Sequence, residues 1–213
     1  MSYACLLILG FGGHARSVAD VALSSGMPCL RFYDVSARVG EQFNDFPAIA
    51  ILPKALPDGW AFLPAAGDNY AREQQLDWFA ADRLATLVSA RAYLGIGASV
   101  GAGSLVAHSA HLGPAVVVGR GAIINTGAIV DHESSIGDCS HVSVGATVAG
   151  RCRIGRRVML GAGATVRDGR CIGDDIVIGS GAVVVSDLIQ PGVYVGVPAK
   201  PLQRASAKDG VRL

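Results

Sequence analysis

Every sixth residue between Leu94 and Val184 is aliphatic, and the phase never slips: Leu94, Val100, Val106, Leu112, Val118, Ile124, Val130, Ile136, Val142, Val148, Ile154, Leu160, Val166, Ile172, Ile178 and Val184. The following residue is usually small, as at Gly95, Gly101, Ala107, Gly113, Gly119, Gly137, Ala149, Gly155, Gly161, Gly173 and Gly179. A period of six fits neither an α-helix nor an alternating strand. It is the hexapeptide signature of a parallel β-helix. In the left-handed form three hexads close one triangular coil, with the aliphatic side chains on the axis and the small residues expected at the tight corners. The stretch holds about five such coils. No insertion interrupts them, so any chemistry must use coil side chains, the region upstream or a neighbouring subunit.

Upstream the pattern changes. Residues 4–9 form an apolar run ending in Gly10-Phe11-Gly12-Gly13-His14. A helical spacing follows to Ser25, with Val18, Val21 and Ala22 on one face and Gly26 as its stop. Cys29 to Asp34 reads as a second strand closed by an acid. Strand, glycine turn, helix, strand and acid make a βαβ unit whose turn offers backbone N–H groups to a phosphate. Ala15 and Arg16 leave the G-x-G-x-x-G pattern incomplete, and glycines that only make a tight turn are the alternative. Irregular chain with one short strand near Ile49 is expected over 36–58, a strand over Trp60–Ala65, a helix over Tyr70–Ala81 with Leu76 and Phe79 inward, and a last strand over Arg83–Val88. The predicted organisation is an α/β plus β-solenoid chain: a small Rossmann-like domain over residues 1–88, a left-handed parallel β-helix with an exit segment over 89–204, and a frayed tail over 205–213. Gly10–His14, Asp34 and Gly67–Asn69 lie at strand carboxyl ends, where open α/β sheets bind ligands.

Composition narrows the function classes. Of 213 residues, 51% are hydrophobic and only 16% charged, which suits a glycine-rich solenoid and argues against disorder. A net charge of +1 gives no electrostatic case for nucleic acid or an anionic membrane. No apolar run approaches a bilayer span, and residues 4–9 are too short for a signal sequence, so a cytoplasmic protein is expected. The five cysteines form no C-x-x-C pair and read as reduced, small hydrophobes.

His108, His111, His132 and His141 all fall within the repeat. Residue i stacks on i+18 at about 4.8 Å, so Gly150 lies against His132 and is expected to leave room beside the imidazole. Glu133 can orient that ring, and a histidine, with its ordinary pKa of about 6.5, suits a general base. A solvated polar corner is the alternative reading of Asp131-His132-Glu133. The histidine spacings do not match the zinc carbonic anhydrases built on the same prism, so no metal is expected. Arg151, Arg153, Arg156, Arg157, Arg167 and Arg170 crowd the last coils, as a solvated face or as partners for cofactor phosphates.

Taken together, Gly12-Gly13-His14, Asp34, Gly67-Asp68-Asn69, Asn125-Thr126, His132-Glu133, Ser140-His141-Val142-Ser143-Val144-Gly145-Ala146 and the exit Val195-Gly196-Val197-Pro198-Ala199-Lys200 carry a resemblance over nearly the whole chain. The sequence resembles bacterial sugar acyltransferases of the sialic-acid O-acetyltransferase type, and most of all the UDP-4-amino-sugar N-acetyltransferases. The resemblance implies an acetyl-CoA-dependent N-acetyltransferase for surface glycan synthesis, acting on a nucleotide-linked amino-sugar. Three flat prism faces without insertions predict a homotrimer with the cofactor between two subunits. The resemblance also implies His132 as base, Glu133 as its support and Asn125 at the acceptor amine or acyl group. It further implies His141, Gly150, Ala162 and Ser180 along acetyl-CoA, and Gly12, Gly13, His14, Asp34, Gly67 and Asn69 around the nucleotide-sugar. Val35-Ser36 and Ala15 depart from the family pattern. A sugar hydroxyl as acceptor, or a non-catalytic nucleotide-sugar-binding scaffold, remain the alternatives.

Overall fold

The computed structural model describes residues 3–202; the expected tail over 205–213 lies outside them. The N-terminal unit is a five-stranded sheet built from β1 (Cys5–Leu9), β2 (Cys29–Tyr33), β3 (Gln42–Phe43), β4 (Phe46–Ile49) and β5 (Trp60–Pro64), with helices α1 (Gly13–Ser24) and α2 (Asn69–Gln75). The strand order is β3-β4-β2-β1-β5, parallel except for the β3–β4 hairpin. The chain leaves β1 for β2 on one side and later crosses from β4 to β5 on the other, so a switch point opens between β1 and β5, between the loops that follow them. Gly10 sits at that point with φ +143°, and a Cβ there would stand 3.3 Å from the Ala65 carbonyl oxygen.

From Leu87 onward the chain winds as a left-handed parallel β-helix. One face carries Leu87–Val88, Leu105–Val106, Ile123–Ile124, His141–Val142, Met159–Leu160 and Ile176–Ile178, and the exit strand Gly192–Val195 extends it. The second face runs from Tyr93–Leu94 to Val183–Val184, the third from Ser99–Val100 to Cys171–Ile172. Pairing is in strict register, Leu94 with Leu112 and Val130 with Val148. The periodic aliphatic residues from Val106 onward are buried on the axis. A second inward column lies two positions before each: Ala110, Val116, Ala122, Ala128, Ala146 and Val158 among others. Its polar members, Ser104, Ser134 and Ser140, each donate to a carbonyl oxygen of the next coil and accept a backbone N–H from it, so a buried hydroxyl is fully bonded.

The small residues have a different role from the one expected. The left-handed corner conformation falls two positions after Gly95, Gly101 and their counterparts, at every sixth residue from Gly97 to Gly181, with Ser109, Ala115, Glu133, Cys139, Arg151, Arg157 and Asp175 as its non-glycine members. The residues just after the aliphatic column are small because coils stack there: a Cβ on Gly137 would lie 2.4 Å from the Gly155 carbonyl carbon.

Two boundaries also differ from the sequence-based expectation. Leu87–Val88 pairs with Leu105–Val106 and so opens the prism; only Leu84 bridges to the sheet, through Phe62. Helix α2 stops at Gln75, six residues early, where the chain turns to set Trp78 edge-on to Tyr33 and Phe79 edge-on to Phe62. Leu76 is inward as expected, packed with Leu7, Leu9, Phe62, Leu84 and Cys139. The α/β unit lies on the first face of the prism and buries the outward side chains Leu105 and Ile123 with its own core. No helix among the described residues is long and apolar enough to cross a membrane.

Candidate active site

The junction of the two units gathers the first set of expected residues. The loops after β1 and β5 bring Gly12, Gly13, His14, Gly67 and Asn69 to the prism face that carries His141. A Cβ on Gly12, Gly13 or Gly67 would meet nothing within 4 Å, so these backbones are open to a ligand. Gly12 caps α1 without a side-chain bond, which leaves the helix N-terminus free. The His14 and His141 ring centroids are 5.9 Å apart. Asn125 accepts from Thr126 N at 2.8 Å, which aims its amide nitrogen at His141 Nε2, 3.0 Å away. Since that amide donates, Nε2 is the unprotonated atom and Nδ1 carries the hydrogen. His141 Nδ1 and His14 Nε2 are buried and have no partner. Burial, and then the Arg72 guanidinium, push His14 down to about 4 and His141 to about 3, with His14 itself a further cause for His141.

Above His141 on the same face, a groove of about 260 Å³ runs between the start of α2 and the prism, lined by Asn69, Tyr70, Arg157, Met159, Asp175 and Val177 among others. Ala162 and Ser180 stand exposed on the edge that also bears Asn125. A second hollow, about 370 Å³ and largely apolar, opens past β2 and β4, between Ala37, Val39 and Ile51. Asp34 lies at the end of β2, its Oδ1 accepting from Ser36 N at 2.9 Å and Ser36 Oγ at 2.6 Å, and these bonds hold its carboxyl below the usual range.

Asn69 lines the groove at the start of α2 with both polar atoms of its side chain already bonded. Its Oδ1 accepts from Arg72 at 2.6 Å and its Nδ2 donates to the Arg157 carbonyl at 2.9 Å, so the side chain is spent on joining the two units. The arginines are mostly committed too. Arg157 binds Asp175 through two nitrogens, at 2.6 and 2.7 Å, and reaches Glu73, which also pairs with Arg156; Arg151 pairs with Asp168 and Arg170 with Asp187. The other prism histidines are bound within the fold, His108 between Ser89 and Asp20 and His111 stacked on Tyr93. Among the described residues no group of His, Cys, Asp or Glu is placed to hold a metal. All five cysteines are free thiols.

His132 and Glu133 do not join this cleft. They form the corner after Ile129–Val130, on the edge between the second and third faces, whereas Asn125 is at the edge between the first and second. Glu133 Oε2 lies 3.8 Å from His132 Nδ1, close enough for an ion pair and too far for a hydrogen bond. Gly150 is one coil on, as expected, but the room it leaves is filled by the ring: a Cβ on Gly150 would stand 2.4 Å from His132 Nε2. Gly150→Ala must therefore displace an imidazole at the prism surface and not the backbone. The variant is expected to fold normally, and its steady-state kcat tests whether the ring is used: a loss of about 10²-fold is the effect of misplacing a reacting group. Unchanged kcat would remove His132 from the reaction.

The α/β unit docked on a prism of hexads is shared with solved sugar acetyltransferases. Residues 5–79 match the PglD N-terminal domain family. The acetyltransferase domain of PglB from Neisseria gonorrhoeae FA1090 is 32% identical over 93% of this chain and 100% of that one, with a TM-score of 0.86; its complex with acetyl coenzyme A gives 0.87. PerB from Caulobacter crescentus, in complex with CoA and GDP-perosamine, is 28% identical over 93% of this chain and 97% of that one, with a TM-score of 0.79. No curated relative matches. The chain belongs to the hexapeptide-repeat sugar acyltransferases and is an acetyltransferase.

Proposed function

We propose that the protein transfers the acetyl group of acetyl-CoA to the amine of a nucleotide-linked amino-sugar, of the UDP-4-amino-4,6-dideoxy type, for surface glycan synthesis. The observation that carries this reading is the cleft between the loops after β1 and β5 and the face of His141, which sets an open glycine turn beside two unpartnered imidazole nitrogens. The glycine turn and the N-terminus of α1 take the diphosphate, and the hollow past Asp34 takes the base and ribose. Asn125 and His141 line the acyl end of acetyl-CoA, with the His141 Nδ1–H as donor, and Ala162 and Ser180 follow its pantetheine.

The base comes from a second copy. His132 is one edge away from Asn125 in its own chain, so both serve one reaction only where the His132 edge of one subunit faces the Asn125 edge of its neighbour. The face between these edges displays the uncharged column Tyr93, His111, Ile129, Thr147, Thr165 and Val183, which suits packing around a threefold axis. Sedimentation is expected to give a homotrimer; an active monomer would defeat this arrangement. In the reaction the amine nitrogen attacks the thioester carbonyl carbon, His132 removes the amine proton, the C–S bond breaks and the CoA sulfur leaves as thiolate, which takes up the proton.

The test is a screen of UDP-, dTDP-, GDP- and CMP-linked amino-sugars with acetyl-CoA, reading free thiol and product mass. Acetylation of a 4-amino-sugar nucleotide is expected. A product acetylated on a hydroxyl, or no thiol release with any acceptor, would overturn the reading.

A further inference from the structure

Helix α2 is rich in polar residues, yet Arg72 at its centre has no exposed surface. A charge removed from water normally keeps a counter-charge beside it. Here every acceptor is a neutral oxygen. Nε donates to the Gly121 carbonyl at 2.7 Å, Nη2 to the Cys139 carbonyl and Asn69 Oδ1, both at 2.6 Å, and Nη1 to the carbonyls of Ala66 and Gly67 at 3.0 and 3.3 Å. No carboxylate bonds the guanidinium directly, although Asp68 acts on it through space. Asp68 caps α2 through Ala71 N at 2.8 Å, and Glu73 is held by Arg156 and Arg157. Gly121 and Cys139 occupy equivalent corners of successive coils, so one guanidinium ties two coils of the prism to the loop after β5.

We propose that Arg72 is a positioning residue of the acceptor cleft: its guanidinium fixes the Ala66–Asn69 loop on the prism and places a positive charge, bonded only by neutral oxygens, behind His14 and His141. The inference rests on the acceptor reading given above. Its first half follows from geometry, because the planar fork reaches acceptors in both units at once and a point-charge ammonium does not. Its second half follows from placement. The ionisable groups facing the two rings are Arg72 and each other; Arg72 itself faces Asp68, the N-cap of α2, and Cys139, around which stand Glu73, Asp138 and Arg156. Asp138 is taken by the Arg120 amide, and burial holds the Cys139 thiol protonated. The guanidinium is thus the largest charge felt by both imidazoles, and it adds to the burial that keeps them in the neutral form in which Asn125 selects the His141 tautomer.

Arg72→Lys and Arg72→Gln in the full-length protein separate the two halves. Lys keeps the charge and loses the fork: acceptor KM is expected to rise about tenfold with little change for acetyl-CoA, while the His14 and His141 ring signals in NMR still titrate below pH 5. Gln also loses the charge, so the same signals move to higher pH. Wild-type acceptor KM in the Lys variant, or wild-type ring titration in a folded Gln variant, would each overturn the proposal. If the Gln variant does not fold, titration in the Lys variant decides the second half: rings that move upward despite the retained charge would refute it. The titration needs no turnover, so a wild-type protein that acetylates nothing refutes the acceptor reading and leaves the charge measurement standing.

Discussion

His132→Ala is expected to lower kcat by about 10²–10⁴ with small changes in either KM, the usual contribution of a general base. The amine nitrogen gains positive charge as it attacks the thioester, and a neutral imidazole must take the proton. His132 is half exposed on a prism edge, flat against Gly150, with a carboxylate on its Nδ1 side. Its Nε2 carries no hydrogen bond and lies beside Gly150. His141 is a poor substitute: its Nε2 is occupied by Asn125, and burial holds it at about 3. His141→Ala should mainly weaken acetyl-CoA binding. Glu133→Ala should cost less than His132→Ala, since its oxygen stands 3.8 Å from the ring. If His132→Ala kept most of its kcat, the proton would have to leave by another route, and the two-subunit site would lose its second half.

Acidification from pH 7 to pH 5 is expected to destabilise the protein by about 2 kcal/mol for each of His14 and His141. An unfolded histidine titrates near 6.5, but burial holds these two at about 4 and about 3 in the fold. Between those values the unfolded chain binds more protons than the native one. The stability they confer is therefore complete above pH 6.5 and drains away as pH falls. In thermal scans this amounts to a Tm drop on the order of 10 °C. Paired carboxylates act in a lower window: Asp175, held at about 2 by Arg157 and then Tyr70, matters only below the ordinary Asp value of about 4. Scans at pH 5 and pH 7 on the wild type and on a His14→Gln, His141→Gln double variant separate the two. An equal drop in both proteins would show that the acid sensitivity lies elsewhere.

What the sequence disclosed follows from which forces are local. Hexads survive in the sequence because each aliphatic residue from Val106 on meets the same axis. The second inward column escaped because alanine, serine and cysteine share it, and small residues carry little pattern. The corner residues escaped for a related reason: seven of them are not glycine, so composition pointed to the neighbouring column, where stacking and not φ demands the missing side chain. Asn125, His132 and His141 were legible as motifs, but their division between two edges is a property of the winding. Arg72 was invisible. In Asn69-Tyr70-Ala71-Arg72-Glu73-Gln74-Gln75 it looks like one more solvated charge, and only the docking of α2 on the prism buries it.

The strict register has a consequence for how such a chain can change its length. Each hexad advances the winding by one side of the triangle, and Leu94 meets Leu112 only after all three sides are passed. Losing or gaining a single hexad between Asn125 and His141 would rotate everything downstream by a third of a turn, carrying His132 or His141 to the wrong edge while leaving the hydrophobic axis intact. A whole coil added beyond Ser180 would leave every edge where it is. The prism is therefore quantised: as a fold it tolerates steps of six residues, and as a catalyst only steps of eighteen.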